Sequence, residues 1–345
     1  MSTRSPRSRH PEGPRQATIR DVAHAARVSV ATVSRALNDS GPVRDDTPRR
    51  VRDAAENLRF TPHGGARSLI TSRTNTLGVL LPDLYGEFFS EIIRGIDRSA
   101  QRAGYQLLLS SARNAHDEVH GAFRAMYGRV DGLVLMAPDV ELAELFAQHR
   151  DGTPIVFINS PVTSEDARLI TIDNHGGAYQ MVKHLVRKGR QRIAIIRGAE
   201  SNHDAAERLR GYRDALDDGG LPRGPRLEFQ GDFTETAGYR AGRAVLRLQP
   251  RPTAIFAAND AMAIGALSAL REEGVAVPGE IAVAGFDDIP IARYVSPPLS
   301  SVHVPIAQLG ERAMELLLGA IAGRENGAAR RVVLPTTLVI RKSSP

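Results

Sequence analysis

The sequence predicts a small all-α domain at the N-terminus, followed by a larger α/β core built from two similar subdomains. Three observations predict this arrangement. Short helical patterns fill an arginine-rich head, strand-like and helical runs alternate after about residue 75, and that alternation restarts after about residue 174. Continuous apolar strands joined by helical crossovers are typical of parallel sheets covered on both faces. A chain of 345 residues allows two or three such domains.

The formal charge of +6 is concentrated near the N-terminus. The first 75 residues hold 14 Arg and 7 acidic residues, whereas the rest of the chain holds 31 Lys and Arg against 32 acidic residues. A basic head on a neutral body predicts contact with a polyanion, and a solvated basic tail is the alternative. Residues 1–16 are rich in Ser, Pro and Arg, so we expect a disordered basic tail there.

Several classes of protein are disfavoured by the sequence. There is no cysteine, which excludes disulfides, thiolate metal sites and a cysteine nucleophile. No signal-peptide core or membrane-length apolar run is present, so we expect a soluble cytoplasmic protein. No P-loop, dinucleotide turn, metal-spaced histidine cluster or catalytic triad motif is found, so no enzyme activity, cofactor or metal is predicted. A secreted sugar-binding protein would not carry the basic head, and a DNA-binding architectural protein would not need the large neutral body.

Three short helices are predicted within residues 17–60. The first begins at Thr18, which forms a capping-box pair with Asp21, and the second begins after the N-cap Ser29. The third begins at Thr47. The gap of about three residues between the first two helices is the spacing of a helix-turn-helix. The residues predicted to face inward are Val22, Ala23, Ala26, Val33, Ala36, Leu37, Val51, Ala54, Ala55 and Leu58.

The second helix carries side chains suited to the DNA major groove. Arg35 is able to bond guanine, while Val30 and Ala31 suit the methyl groups of thymine. Thr32 and Ser34 suit phosphate oxygens. A three-helix bundle without a role in nucleic-acid binding is the alternative interpretation of the helical pattern alone.

The core is predicted from its apolar runs. One long helical run spans residues 87–104, between the first two strands. Strands are expected at residues 76–83, 105–111, 131–138, 154–160 and 169–173 in the first series, and at 192–198, 227–233, 253–260 and 281–288 in the second.

Polar residues follow several of these strands, where ligands bind in open α/β sheets. Amides and carboxylates of this kind bind hydroxyl-rich ligands through paired hydrogen bonds. Each residue alone is better explained as a helix cap or core residue, and it is their repetition at successive strand ends that favours a ligand site. Adjacent carboxylates on a strand point to opposite faces, so Asp287 and Asp288 are poor partners for acid–base chemistry. The strand-end residues are Asn159, Ser160, Asn259, Asp260, Asp287 and Asp288, and Phe88, Phe89 and Phe233 offer aromatic faces.

The segment "TIRDVAHAARVSVATVSRALN" resembles the N-terminal domain of the lactose-repressor/galactose-repressor family, and the resemblance covers nearly all of residues 17–345. It implies a dimeric, DNA-binding transcriptional regulator, with Val30, Ala31 and Arg35 at the base-reading positions. Arg27 departs from the usual Gly or Asn, so a left-handed turn there is expected to be strained. The DNA-binding residues that we predict are Thr18, Ser29, Val30, Ala31, Thr32, Ser34, Arg35, Asn38, Arg67 and Leu69.

The core resembles the family's effector-binding core, which is similar to periplasmic sugar-binding proteins. The segments "ERLRGYRDAL", "FAANDAMAIGAL" and "GFDDIP" match three ligand segments of the family. Three departures occur: Gly86-Glu87 replaces an Asn-Pro pair, Asp204 stands where many relatives have Thr, and Asn202 stands where the purine-responsive member has Arg. We expect a sugar or sugar derivative as effector, with a corepressor such as a nucleoside or purine as the alternative. The predicted effector-binding residues are Phe88, Phe89, Asn159, Arg208, Phe233, Asn259 and Asp287.

The resemblance also gives the domain organisation. Residues 61–74 form the hinge segment, in which Leu69 of "ARSL" falls on the residue that wedges into the minor groove. Gly64 and Gly65 depart from the family's non-glycine residues, so we expect a hinge that folds as a helix only on the operator.

The first subdomain is expected at about 75–174 and 305–330, and the second at about 175–304 and 331–345. Homodimers are expected mainly through the first subdomain, including helix 87–104. A repressor of a carbohydrate-utilisation operon, released by its effector, is the function that the resemblance implies.

Overall fold

The structure is a computed structural model that describes residues 17–38, 43–60, 73–112, 116–140, 142, 152–324 and 330–345. It divides into two compact units, Met1–Thr74 and Asn75–Pro345. The predicted basic tail and most of the predicted hinge, including Gly64, Gly65, Arg67 and Leu69, lie outside the described residues. None of the helices in the described ranges is long and apolar enough to cross a membrane.

The N-terminal unit contains three helices, α1 (Ile19–Ala26), α2 (Val30–Asn38) and α3 (Thr47–Asn57). They bury the predicted apolar faces, with Val22, Val33 and Val51 fully enclosed. The prediction for Leu58 was wrong, because this residue caps the end of α3 and is 37% exposed. The helical pattern places it on the inward face, but α3 ends before it, so the helical repeat no longer fixes its direction.

The second unit is built around two sheets whose elements follow one another along the chain. Its strands are β1 (Thr76–Leu81), β2 (Gln106–Ser111), β3 (Gly132–Leu135), β4 (Ile155–Ile158), β5 (Arg168–Ile172), β6 (Ile193–Ile196), β7 (Glu228–Phe229), β8 (Ala254–Ala257), β9 (Ala282–Asp287), β10 (Ser300–His303), β11 (Arg331–Leu334) and β12 (Thr337–Val339). Its α-helices are α4 (Glu87–Arg102), α5 (His116–Met126), α6 (Asn174–Arg187), α7 (His203–Asp218), α8 (Glu235–Leu246), α9 (Asp260–Glu272) and α10 (Ile306–Ile321).

The first sheet has the order β11-β5-β4-β3-β1-β2, and all of its pairs are parallel. The second has the order β12-β10-β9-β8-β6-β7, and only β12 pairs antiparallel in it. Strands β3, β4, β6 and β8 are buried along their full length, as expected for parallel sheets covered on both faces. The run predicted as a strand over 227–233 is much shorter in the structure, because only β7 pairs with β6.

The chain passes between the two subdomains three times, after β5, after β10 and after β11. Helix α6 packs on α7 of the second subdomain, whereas α10 packs on α4 of the first. Residues 331–334 were predicted to belong to the second subdomain, which was wrong: β11 pairs with β5 of the first sheet, from Arg331 opposite Leu169 to Leu334 opposite Ile172. The third crossing therefore falls between Leu334 and Thr337.

Helices α4 and α10 contact each other through their backbones. A Cβ atom on Gly95 would lie 2.0 Å from the carbonyl oxygen of Ala307, and one on Gly310 would lie 2.4 Å from that of Ile92. Glycine is therefore required at both positions for this close approach. Ile306, Leu309, Ala313 and Leu317 of α10 are buried in the core, and Leu316 is partly buried.

Candidate functional site

Side-chain caps fix the starts of α1 and α2, which form the helix-turn-helix of the head. The backbone N–H of Thr18 donates to the carboxylate of Asp21 at 2.8 Å, and the Asp21 N–H donates back to Thr18 Oγ1. Ser29 caps α2 by accepting from the Thr32 N–H at 3.1 Å. Arg27 connects the two helices with φ 52° and ψ 49°, in the left-handed region where a residue other than glycine is strained.

Helix α2 presents its predicted base-reading side chains on the surface of the head. Val30 is 41% exposed, and Ala31 and Arg35 are also exposed. Nε of Arg35 donates to the Ala31 carbonyl at 3.3 Å, so the guanidinium lies along the helix. Thr32 and Ser34 are half-buried, and Asn38 is the last residue of the helix.

In the core, the predicted effector residues stand at the carboxyl ends of both sheets with unusual backbone conformations. Asn159 follows β4 with φ 42°, Phe233 precedes α8 with φ 69°, and Asp287 ends β9 with φ 105°. Side chains rarely adopt these angles, and each such residue costs on the order of 1–3 kcal/mol. Such strain often occurs at functional sites, so these three residues make the carboxyl ends of the two sheets the candidate site.

Arg208 of α7 lies at the centre of this site and is almost completely buried. Its Nε donates to Asn174 Oδ1 at 2.8 Å, and its Nη1 donates to the Ala258 carbonyl at 2.5 Å. Nη1 also lies 3.3 Å from Asp287 Oδ1, and the guanidinium stacks on the ring of Phe286 with its carbon 3.8 Å from the ring centroid. The arginine is therefore held in one orientation by the second subdomain.

Asn159 and Asp204 face each other across the cleft. Asp204 Oδ1 accepts from Asn174 Nδ2 at 2.9 Å, and the Asn159 amide of the first subdomain lies close enough to lower the pKa of the Asp204 carboxyl. Asn159 is 1% exposed, yet neither its amide oxygen nor its amide nitrogen has a hydrogen-bond partner among the described residues. Asp287 Oδ1 differs from these atoms, because Arg208 Nη1 lies 3.3 Å from it as an ion-pair partner. Buried polar groups normally have partners, so the Asn159 amide is a candidate contact for a ligand.

The carboxyl groups of the site carry raised pKa values. Burial raises the pKa of Asp204 to about 6, and the nearby Arg208 and His203 limit that rise. Burial raises the pKa of Asp287 to about 7 against the opposing effect of Arg208, with Asp204 adding to the rise. The pKa of Asp260 is raised well above its usual range by burial and by Asp287. The single guanidinium therefore does not offset the cost of burying these charges.

Three predicted aromatic residues are half-buried. The rings of Phe88 and Phe89 on α4 meet edge to face, with centroids 5.5 Å apart. The ring of Phe233 lies against Gly198, where an added Cβ would come within 2.2 Å of it. Asn259 has a different role from the others, because its Oδ1 caps α9 by accepting from Met262 N–H and its Nδ2 donates to the Phe233 carbonyl. It holds Phe233 in place, with both side-chain atoms engaged within the protein.

Hydrogen bonds also join the two subdomains directly at the cleft. Glu87 Oε2 accepts from the Ile291 N–H at 2.8 Å, and the Pro138 carbonyl accepts from the His203 N–H at 3.3 Å. Ser201 Oγ donates to Asp139 Oδ1 at 3.2 Å. Burial raises the pKa of Asp139, and hydrogen bonds from Ser201 and Asn202 oppose that rise.

Two parts of the chain match the models of known protein families. Residues 18–63 match the model of bacterial regulatory proteins of the lacI family, and residues 182–344 match a periplasmic binding protein-like domain. The transcriptional repressor PurR of Vibrio atlanticus (strain LGP32) is 34% identical over 313 residues, covering 90% of this chain and 93% of that protein. The transcriptional regulator GalR of Salmonella typhimurium (strain SL1344) is 36% identical over 331 residues, covering 95% of this chain and 96% of that protein.

This chain belongs to the lacI family of bacterial regulatory proteins. It is a DNA-binding transcriptional repressor with a periplasmic-binding-protein-like core, and members of its family are transcription regulators rather than enzymes. The lac repressor dimer bound to operator and the anti-inducer ONPF has the same fold, with a TM-score of 0.82 and 29% identity over 96% of this chain and 99% of that chain. The complex of the regulator CelR with cellobiose has a TM-score of 0.71 and 32% identity, covering 95% of this chain and 99% of that chain.

The fold of this lacI-family repressor brings Asn159, Arg208 and Asp287 together in the cleft. Asp204 and Glu87 stand out in the sequence only as departures from the family pattern, and neither was predicted as an effector-binding residue. Asn174, which bridges Arg208 and Asp204, was missed entirely. Its position at the start of α6, directly after a strand of the first sheet, was the available signal.

Proposed function

We propose that this repressor binds a pseudo-palindromic operator as a homodimer and is released when a small sugar or sugar derivative binds in the cleft of the core. The observation that carries the proposal is the unpartnered Asn159 amide beside the buried Arg208–Asp287 pair. Acceptors and donors at the ends of both sheets suit a ligand rich in hydroxyl groups. The structural similarity to the complex of the regulator CelR with cellobiose supports a carbohydrate.

The cleft lies between the two subdomains, so an effector that contacts both sheets changes how they close. Closure moves the first subdomains of a dimer relative to each other, and with them the segments that lead to the heads. By linkage, an effector that weakens operator binding is itself bound more weakly by the DNA complex, with a typical coupling of about 5–150-fold.

Operator binding and its release test this proposal together. Wild-type protein is used to select a site from random duplex DNA, and affinity is measured over a salt series with and without carbohydrates. We expect a palindromic site, a steep salt dependence and weaker binding in the presence of one carbohydrate. Arg35→Ala is expected to relax the preference for the selected site. A monomer on a non-palindromic site, or an Arg35→Ala variant with unchanged preference, contradicts the proposal.

A corepressor is the other candidate, and the same assay separates the two. If operator affinity rises with a purine or nucleoside and stays unchanged with carbohydrates, the effector is a corepressor and does not release the operator. The absence of arginine at position 202 disfavours that outcome, because Asn202 uses its side chain to cap α7 by accepting from the Ala205 N–H at 2.9 Å.

A further inference from the structure

The effector site is unusually rich in buried carboxylates. In the described part of the core, the charged residues that are almost completely buried are Asp204, Arg208, Asp260 and Asp287. Asp260 is satisfied within the protein, because it accepts from Ser301 Oγ at 2.6 Å and from the Ile289 N–H at 2.9 Å. The other two carboxylates flank the single guanidinium, which leaves the cleft with more negative than positive charge.

Arg208 is largely engaged by the protein itself. Its Nε and Nη1 donate to Asn174 and to the Ala258 carbonyl, and Nη1 also faces Asp287. An anionic group that approached this guanidinium would lie beside Asp204 and Asp287 as well. Since like charges in a buried site repel strongly, a phosphate or carboxylate on the effector would be disfavoured.

The polar side chains of the site are mostly acceptors. Neither Asn159 Oδ1 nor Asn159 Nδ2 has a hydrogen-bond partner among the described residues, and the carboxylates of Asp204 and Asp287 belong to the same site, with Asp287 Oδ1 3.3 Å from Arg208 Nη1. Asp204 stands beside Asn159 as a further carboxylate, and burial raises its pKa although Arg208 and His203 oppose the rise. An ammonium group has three N–H donors and a positive charge, so it complements several converging acceptors better than a hydroxyl, which has one donor.

We propose that the effector carries a protonated amine on a sugar-like frame, bound by Asp204, Asp287 and the amide oxygen of Asn159, and that anionic effectors are excluded. Asp204 is the specificity-determining residue of this arrangement. The inference rests on the proposed function, because it names the chemical class of ligand for the same cleft.

Matched triads of probes test the inference with the full-length protein. Each triad consists of a hexose, its 2-amino-2-deoxy derivative and its 6-phosphate, in the gluco, galacto and manno series. Calorimetric affinities and thermal shifts are measured for wild type, Asp204→Asn, Asp204→Thr and the control Asp214→Asn. The control lies on the same helix, where Asp214 pairs with His175 and is half exposed.

We expect one amino sugar to bind at least tenfold more tightly than its hexose, and no 6-phosphate to bind. Asp204→Asn and Asp204→Thr should each weaken the amino sugar at least tenfold, while Asp214→Asn leaves it unchanged. Two variants are used so that a folding defect in one, visible as a lower melting temperature without ligand, does not decide the result.

Three outcomes overturn the inference. If a hexose or a 6-phosphate binds wild type as tightly as the amine, the proposed function stands and the inference fails. If the amine binds equally to wild type and the Asp204 variants, Asp204 is not the determinant. If no carbohydrate of any triad binds the core or releases the operator, the proposed function itself is contradicted, and the inference falls with it.

Discussion

Glu87 and Ile291 stand on different subdomains and are joined by a hydrogen bond of 2.8 Å from the Ile291 backbone N–H to Glu87 Oε2. Glu87 is the first residue of α4, and Ile291 lies in a short 3₁₀ turn, Pro290–Arg293, that follows β9. Both elements begin at the carboxyl ends of their sheets. Glu87, which departs from the family's Asn-Pro pattern, is therefore the residue that joins the two subdomains here.

Glu87→Ala is expected to loosen this bridge. Loss of the acceptor should speed hydrogen exchange at the Ile291 amide about three- to tenfold, since a net hydrogen bond contributes about 1 kcal/mol. Glu315→Gln is the control, because Glu315 pairs with Arg312 within α10 and is far from the bridge in sequence. Unchanged exchange at Ile291 in Glu87→Ala would show that the bridge does not hold the cleft in solution.

Arg208→Ala should destabilise the core as well as abolish the effector response. Removing the guanidinium leaves Asp287 buried without its counter-charge, and such changes cost about 3–5 kcal/mol. Arg210→Ala on the same helix removes an exposed pair with Glu207 and should cost about 1 kcal/mol or less. Urea unfolding of the three proteins measures the difference. Equal free energies of unfolding for the two variants would mean that the buried Arg208–Asp287 pair does not stabilise the core more than an exposed pair does.

The positions of the strands and of most site residues follow from the sequence because apolar runs are local signals. The strand from Ile155 to Ile158 and the polar Asn159 after it are both visible in "PIVFINS". Residues 331–334 are different, since "RVVL" suits an edge of either sheet and only its pairing with β5 decides between them. That pairing joins residues more than 160 positions apart, so a local sequence pattern does not predict it.

Side-chain roles in the cleft were harder to predict than positions. Asn259 matches a ligand segment of the family, but its side chain caps α9. Asn202 likewise serves as a cap for α7. Asparagine after a strand and before a helix suits both roles, and the sequence does not distinguish them. The left-handed backbone at Asn159, Phe233 and Asp287 was also not predicted, because it is imposed by surrounding tertiary contacts.

The hinge glycines give a prediction for a segment outside the described residues. Gly64→Ala with Gly65→Ala should favour a hinge helix by up to roughly 2 kcal/mol per protomer, since each Gly costs about 1 kcal/mol relative to Ala in a helix. We expect tighter operator binding and a weaker response to the effector, measured by fluorescence anisotropy. Gly13→Ala in the basic tail is the control. Weaker operator binding by the double variant would contradict a hinge helix formed on DNA.

Arg27→Gly should stabilise the head. Arg27 occupies the left-handed region after α1, where a residue with a Cβ costs about 1–2 kcal/mol. Glycine removes this cost, but its greater conformational freedom in the unfolded chain offsets part of the stabilisation. We expect a net gain of about 0.5–1 kcal/mol, seen as slower hydrogen exchange at the Val28 amide, which donates to the Ala23 carbonyl at 3.0 Å. Arg27→Ala keeps the Cβ and should show no such gain. If both variants behave alike, strain at this turn is not significant.

The raised pKa of Asp204 predicts how stability depends on pH. An aspartate titrates near 3.9 in the unfolded chain but at about 6 in the folded protein, so the folded state binds more protons between these values. Its contribution to the free energy of unfolding is therefore fully present below about pH 4 and is lost as the pH rises through about 6.

Asp204→Asn isolates this contribution from the neighbouring groups Arg208, His203 and Asp287. The stability of wild type relative to the variant should fall between pH 4 and 6, by at most about 3 kcal/mol, and change little above pH 7. Urea unfolding at intervals of half a pH unit measures the difference. A relative stability that rises with pH over this range would mean that Arg208 holds the Asp204 pKa below its unfolded value, and that the carboxylate is already compensated without an effector.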